Sequence, residues 1–284
     1  MLSILLPTDF SENSKNAICY ALDLFKHLKV EFTLLNAYQN FSNIEENSVS
    51  KSVYNEILDA IKNTSEGHLH ALLNELQQGS EIPDHTFKSM SIKGPLVEAV
   101  QHISELKNCD LIVMGTAGKS DKNRVKYGSN TFHVLKSVKC PVLAVPFQYN
   151  NAQPKHILFP TNYKINFKQR EMELLAQISA EKANDFTVLY VSKNKTFTVK
   201  QNQTQALIKE TIPHKEIDFC IENTSDIALG IQKYIKSKHT ELLVMVNTHH
   251  SFWENLLFES NIDHVGIDLK IPLLVLQNAS RPLK

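Results

Sequence analysis

The sequence predicts an α/β chain made of two tandem copies of one parallel-sheet domain. Three observations carry that expectation. First, the 284 residues come close to two domains at about 150 residues each. Second, the chain repeats itself. Ile4-Leu5-Leu6-Pro7-Thr8-Asp9 returns as Ile157-Leu158-Phe159-Pro160-Thr161-Asn162, and Asp110-Leu111-Ile112-Val113-Met114 as Glu241-Leu242-Leu243-Val244-Met245. From this second anchor both copies run without a gap to Cys140-Pro141-Val142-Leu143-Ala144-Val145 and Ile271-Pro272-Leu273-Leu274-Val275-Leu276. The period is too long for a solenoid and reads as a duplicated domain. Third, apolar runs alternate with amphipathic stretches, which implies parallel strands joined by right-handed helical crossovers.

In the first half, strands are expected at 2–7, 31–38, 84–91, 110–115 and 141–146, and helices at 12–28, 46–78, 95–107 and 129–137. Ala17, Ala21, Leu24 and Leu28 show the three-to-four spacing of one buried helix face, and Ser11 is a candidate N-cap. The runs at 111–114 and 142–145 are continuously apolar, as strands covered on both faces are. The second half repeats the pattern at 155–160, 167–182, 185–191, 214–220, 225–237, 241–246 and 272–277, with a shorter middle and a reduced second helix. Polar Asn150-Asn151-Ala152-Gln153 marks the join, so the expected domains are 1–149 and 150–284.

Thirty basic and thirty acidic residues give zero formal net charge. A nucleic-acid binder needs an excess of positive charge, so that class is not expected. A composition 42% hydrophobic and 21% charged suits a buried core. Cys19, Cys109, Cys140 and Cys220 form no CxxC pair and read as reduced thiols. No apolar run is long enough to span a bilayer, and the start has no basic segment of a signal peptide. The expectation is a soluble cytoplasmic protein with no membrane partner.

The glycines carry the chemistry. After Met114 come Gly115-Thr116-Ala117-Gly118, then nine residues, then Gly128-Ser129-Asn130-Thr131, a G-x2-G-x9-G-S pattern. Gly115 and Gly118 let backbone approach a ligand at a strand's C-terminal end. Gly128 to Thr131 opens a helix whose free amides and dipole favour an anion. Ser129 and Asn130 add side-chain donors, and Lys119, Lys122, Arg124 and Lys126 make the intervening loop positive. Gly118-Lys119-Ser120 is not a P-loop, because Val113 stands where that motif needs glycine. The dinucleotide G-x-G-x-x-G is absent after the first strand.

Pro7-Thr8-Asp9-Phe10-Ser11-Glu12, the complete glycine pattern, the Cys140-Pro141 step and the duplication together resemble the universal stress protein family in its tandem form. The resemblance covers 1–147 and 154–278. It implies two doubly wound domains of the adenine nucleotide α-hydrolase-like type, each with a five-stranded parallel sheet of order 3-2-1-4-5. It also implies an ATP site, with ATP alone or with magnesium, where strand order reverses. By similarity Pro7, Thr8 and Asp9 contact the nucleoside, and Ala37 offers backbone groups to adenine. Gly115 and Gly118 lie along the ribose and phosphates, Gly128, Ser129 and Asn130 hold the triphosphate, and Met114 counts among the nucleotide-binding residues. Asn130 departs from the small or apolar residue usual there. Stand-alone members of the family dimerise partly through their last strands, so the two halves are expected to form a pseudo-dimer within one chain. A further homodimer is compatible with this.

The second half has lost the motif. Asn162 stands for Asp9, Val246 for Gly115, His249 for Gly118 and Glu259 for Gly128; only Ser260 and Asn261 survive. A β-branched residue and a carboxylate both oppose phosphate, so one nucleotide site per chain is expected. His249, His250, Trp253 and Phe258 form a distinctive loop, but with His239, Asp263 or His264 they make no H-x-x-x-H spacing, and no metal is expected. The expected function is an adenine-nucleotide-binding stress-response or regulatory protein. The alternatives are a nucleotide-independent interaction scaffold and a slow ATPase, for which no base that would orient water is evident.

Overall fold

The computed structural model describes residues 1–39, 50–79, 82, 84–116, 128–180, 185–194, 196–212, 217–247 and 270–281. The first half runs β1 (Leu2–Pro7), α1 (Glu12–Leu24), β2 (Val30–Tyr38), α2 (Lys51–Gly79), β3 (His85–Lys93), α3 (Leu96–Leu106), β4 (Leu111–Gly115), α4 (Ser129–Ser137) and β5 (Val142–Val145). The second runs β6 (His156–Pro160), α5 (Gln169–Ser179), β7 (Asp185–Val191), α6 (Val199–Thr211), β8 (Ile217–Glu222), α7 (Ile227–Ser237), β9 (Leu242–Val246) and β10 (Leu273–Leu276).

The ten strands among the described residues join one sheet of order β3-β2-β1-β4-β5-β10-β9-β6-β7-β8. Each half keeps the order 3-2-1-4-5 with parallel neighbours. The halves meet where β5 pairs antiparallel with β10, Ala144 opposite Leu273 and Val142 opposite Val275. These strands are fully buried at the centre of the sheet. Two separate five-stranded sheets would each end there in an open apolar edge; their pairing removes both edges.

The continuous apolar runs have the reason expected of them. Successive strand residues point to opposite faces. Ile4, Leu6, Leu111 and Val113 pack with α1 and α2 on one face. Leu5, Ile112 and Met114 pack with α3 and α4 on the other. Ser11 caps α1, its side chain accepting from the Ser14 amide at 3.2 Å. The helix expected over 12–28 stops at Leu24, because buried Phe25 ends it and the chain turns back towards β2. Of the strand expected at 214–220, residues 214–216 lie outside the described residues; the described strand runs Ile217–Glu222, paired with β7. The second helix of the second half is indeed reduced, α6 having 13 residues against 29 in α2.

Polar contacts reinforce the seam. Arg170 of α5 donates to Asp110 Oδ1 through Nε at 3.1 Å and Nη2 at 2.6 Å, and to the Asn108 carbonyl at 2.7 Å. Arg281 donates to the Cys109 carbonyl at 2.8 Å. All four cysteines are free. Among the described residues no helix is long and apolar enough to cross a membrane.

Candidate functional site

In an open parallel sheet the connections after neighbouring strands diverge where strand order reverses, leaving a crevice at the strands' C-terminal ends. Here β1 is that point, with β2 on one side and β4 on the other. A cleft of about 600 Å³ lies there. Of the expected site residues it brings together Pro7, Thr8, Asp9, Ala37, Met114, Gly115, Gly128, Ser129 and Asn130. Gly118 and the basic residues 119–126 lie outside the described residues.

The β1–α1 turn is built from its own side chains. The Thr8 amide donates to the Leu35 carbonyl at 2.8 Å, fixing the end of β1 against β2. Phe10 takes a left-handed φ of 62°, and its amide donates to Thr8 Oγ1 at 3.0 Å. Asp9 Oδ1 accepts from the Ser11 amide at 3.1 Å and the Ser11 hydroxyl at 2.5 Å. Asp9 thus steers the turn, and Ser11 caps the helix.

At the opposite wall, Gly128 is the N-cap of α4 and supplies no side-chain cap. The first turn of Ser129, Asn130 and Thr131 lines the cleft, so the positive end of the helix dipole and amides without a side-chain cap from Gly128 lie at that wall. Ser129 and Asn130 are exposed. Thr131 is 3% exposed and donates to the Gly115 carbonyl at 2.8 Å, tying α4 to the end of β4. Gly115 has a packing role as well as an expected ligand role. A Cβ there would stand 2.3 Å from Asn13 Nδ2 and 2.9 Å from the Asn13 carbonyl oxygen. The missing side chain lets α1 close on β4.

The sequence did not mark several lining residues. Asn36 donates to the Thr8 carbonyl at 2.7 Å and accepts from Ser65 at 2.7 Å, and Ser65 lies 2.6 Å from Ser91. This chain links β3, α2 and β2 to the Asp9 turn. Gln39, Gly94, Leu96, Asn13, Ser14 and Thr131 also line the cleft. Apart from Thr131, which closes the Gly128–Thr131 run, none belongs to a local motif; the usable signal was their position at the ends of elements that converge on the switch point.

The second half copies the turn and changes the cleft. The Thr161 amide donates to the Leu189 carbonyl at 2.9 Å, Tyr163 has φ 57°, and its amide donates to Thr161 Oγ1 at 3.1 Å. Asn162 stands in the place of Asp9, accepting from the Lys164 amide at 2.9 Å. The strand registers put Tyr190 where Asn36 stands, Val191 where Ala37 stands and Val246 where Gly115 stands. Tyr163, 1% exposed, packs 5.7 Å from Tyr190 and 5.6 Å from Phe197 between ring centroids. Burial pushes its phenol pKa up. His249, His250, Trp253, Phe258, Glu259, Ser260 and Asn261 lie outside the described residues, as do Asp263 and His264. Among the described residues, no group of three or more His, Cys, Asp or Glu side chains could hold a metal ion.

Comparison with known proteins bears on the family and the fold. Two curated relatives, both universal stress proteins of Methanocaldococcus jannaschii, are 28% identical over 152 residues and 30% identical over 153 residues. Each alignment takes in 50% of this chain, and respectively 93% and 80% of the relative. A solved universal stress protein from Archaeoglobus fulgidus matches with a TM-score of 0.70 at 17% identity, covering 98% of both chains. At that identity the match concerns the fold, and it extends to both halves. The model of the universal stress protein family matches residues 1–146, and this chain belongs to that family.

Proposed function

We propose that the chain is an adenine-nucleotide-binding regulatory protein of the stress-response type. It has one ATP site in a domain spanning 1–149, and a second domain spanning 150–284 acts as its built-in partner. The observation that carries this is convergence. Residues of the motif as far apart in sequence as Pro7 and Asn130 line one cleft at the switch point, opposite an uncapped helix N-terminus. Pro7 and Met114 would flank the base, with the Ala37 backbone reading its edge. Asp9, held in the turn by its bonds from Ser11, suits a ribose hydroxyl. Gly115 and Gly118 would let the phosphates pass, and Gly128, Ser129 and Asn130 would receive them. A magnesium ion would be held chiefly by the phosphates, with Asp9 the carboxylate at hand.

The antiparallel β5–β10 pairing supports a pseudo-dimer of the two domains. The Tyr163-Tyr190-Phe197 packing and Val246 support a single site. A cytoplasmic setting suits the free cysteines.

Calorimetric titration with ATP and with adenosine tests the site. Ser129→Glu places a negative charge at the start of α4, which the helix dipole tolerates but a phosphate does not. The expected result is at least roughly ten-fold weaker ATP binding, with adenosine binding and melting temperature unchanged. Equal ATP affinity in wild type and variant would refute the phosphate placement. Absence of ATP binding to the wild type would move the protein to the scaffold class.

A further inference from the structure

We infer that Gln277, in the second half, positions the phosphate-facing helix of the first. The inference rests on the ATP site proposed above and adds a residue to it from outside the glycine motif. Gln277 follows β10 and is 6% exposed. Its Nε2 donates to the Leu135 carbonyl at 2.9 Å, and its Oε1 accepts from Asn247 Nδ2 at 2.7 Å. Both ends of a buried amide are thus satisfied, as burial requires.

The chemistry at Leu135 gives the contact its meaning. Helix α4 has nine residues and ends at Ser137. Its last turn leaves carbonyls without an intrahelical partner. The Val134 carbonyl is taken by the Val138 amide at 3.1 Å. The next, that of Leu135, is taken by Gln277 from across the β5–β10 seam. One end of α4 is therefore capped by the second half, while the first turn at the other end, Ser129 to Thr131, lines the cleft. Thr131 anchors the cleft end to Gly115. In so short a helix, a shift at the capped end moves the amide end with it.

The contact is one-sided. In the pairing of β4 with β5, Gly115 stands opposite Val145; in that of β9 with β10, Val246 stands opposite Leu276. Pro146 therefore occupies in the first half the place of Gln277, and Thr116 the place of Asn247. Proline has no side-chain donor to return across the seam. The half without the glycine motif thus supplies the cap, and the half with the motif receives it. The retained second domain thereby completes the helix that holds phosphate in the first.

Calorimetry with ATP and adenosine on the full chain tests this. The variants are Gln277→Met, which keeps length and loses both hydrogen bonds, and Asn247→Leu, which leaves Gln277 in place but removes the amide that orients it. Phosphate contacts need α4 and the nucleoside does not. Gln277→Met should therefore weaken ATP roughly three- to ten-fold and leave adenosine within about two-fold. Asn247→Leu should move in the same direction by less. Cooperative melting identifies folded variants. A merely structural role would weaken both ligands alike. That result, or ATP binding equal to wild type in a folded Gln277→Met protein, overturns the inference while leaving the site in place. Wild-type protein that binds neither ligand overturns the site and this inference together.

Discussion

Gly115→Ala separates two reasons for a glycine at the end of β4. The added Cβ would meet Asn13 Nδ2 at 2.3 Å, Asn13 Cγ at 2.7 Å and the Asn13 carbonyl oxygen at 2.9 Å. The first two contacts belong to a side chain, which can rotate away. The third belongs to the backbone of α1 and is relieved only if the helix moves. Overpacking of that kind destabilises by about 1–3 kcal/mol. For a chain of this size, the melting temperature should fall by roughly 2–10 °C. Asn13→Ala in the same background removes the two side-chain contacts and leaves the backbone one, so it should restore part of the loss and no more. A double-mutant cycle on chemical denaturation, read by circular dichroism, gives the coupling between the two positions. Gly115→Ala with wild-type stability, or additive effects, would refute the packing role. The glycine would then serve ligand approach alone, and the variant would lose ATP binding without losing stability.

Three further outcomes concern the seam and the turn. Arg170→Met leaves the buried Asp110 carboxylate without the guanidinium bonded to it at 2.6 Å, and should lower the unfolding free energy by about 3–5 kcal/mol in urea titration. Ser11→Ala removes both the cap of α1 and the hydroxyl bonded to Asp9. Stability should fall by about 0.5–2 kcal/mol and ATP affinity should fall with it. Glu171 is buried, which raises its carboxyl pKa despite the opposing backbone amides and Arg281. The folded chain then holds that proton at a pH where the unfolded chain releases it. The group's contribution to stability is fully present below its ordinary value of about 4.3 and is lost as pH rises through the folded value. Melting curves of Glu171→Gln should show a smaller loss of stability with rising pH in that window; an unchanged slope would exclude the group as its source.

The elements were legible wherever local pattern decides structure. The apolar run from Leu111 to Met114 announced a strand covered on both faces, and the spacing of Ala17, Ala21 and Leu24 announced α1. Much of the described cleft lining was legible as position too, because Pro7 to Asp9, Gly115 and Gly128 stand in local motifs at the ends of strands and the start of a helix. The rest depends on distance. The fit of Asn13 under Gly115 and the Asn36–Ser65 bond arise between elements remote in sequence. So does the Gln277 bond to Leu135, which spans 142 residues. No periodicity records which polar side chain will meet which carbonyl across a sheet. The halves could be read as a duplication, and the resemblance implied that their last strands meet; what no strand's own sequence records is that β5 and β10 hide each other's edges in one sheet. That is a property of the pair and of neither strand alone.

The proposed role of the cleft stands or falls with one adenine nucleotide per chain. Freshly purified protein can be denatured and the released nucleotide quantified against protein by chromatography, with thermal stabilisation by added ATP measured on the same preparation. The expected yield is about one adenine nucleotide per chain. If the ligand is lost on purification, ATP at roughly a hundred times its dissociation constant should stabilise the protein by about 2.7 kcal/mol. Two nucleotides per chain would rule out the single site, and no bound nucleotide together with no stabilisation would rule out the site itself.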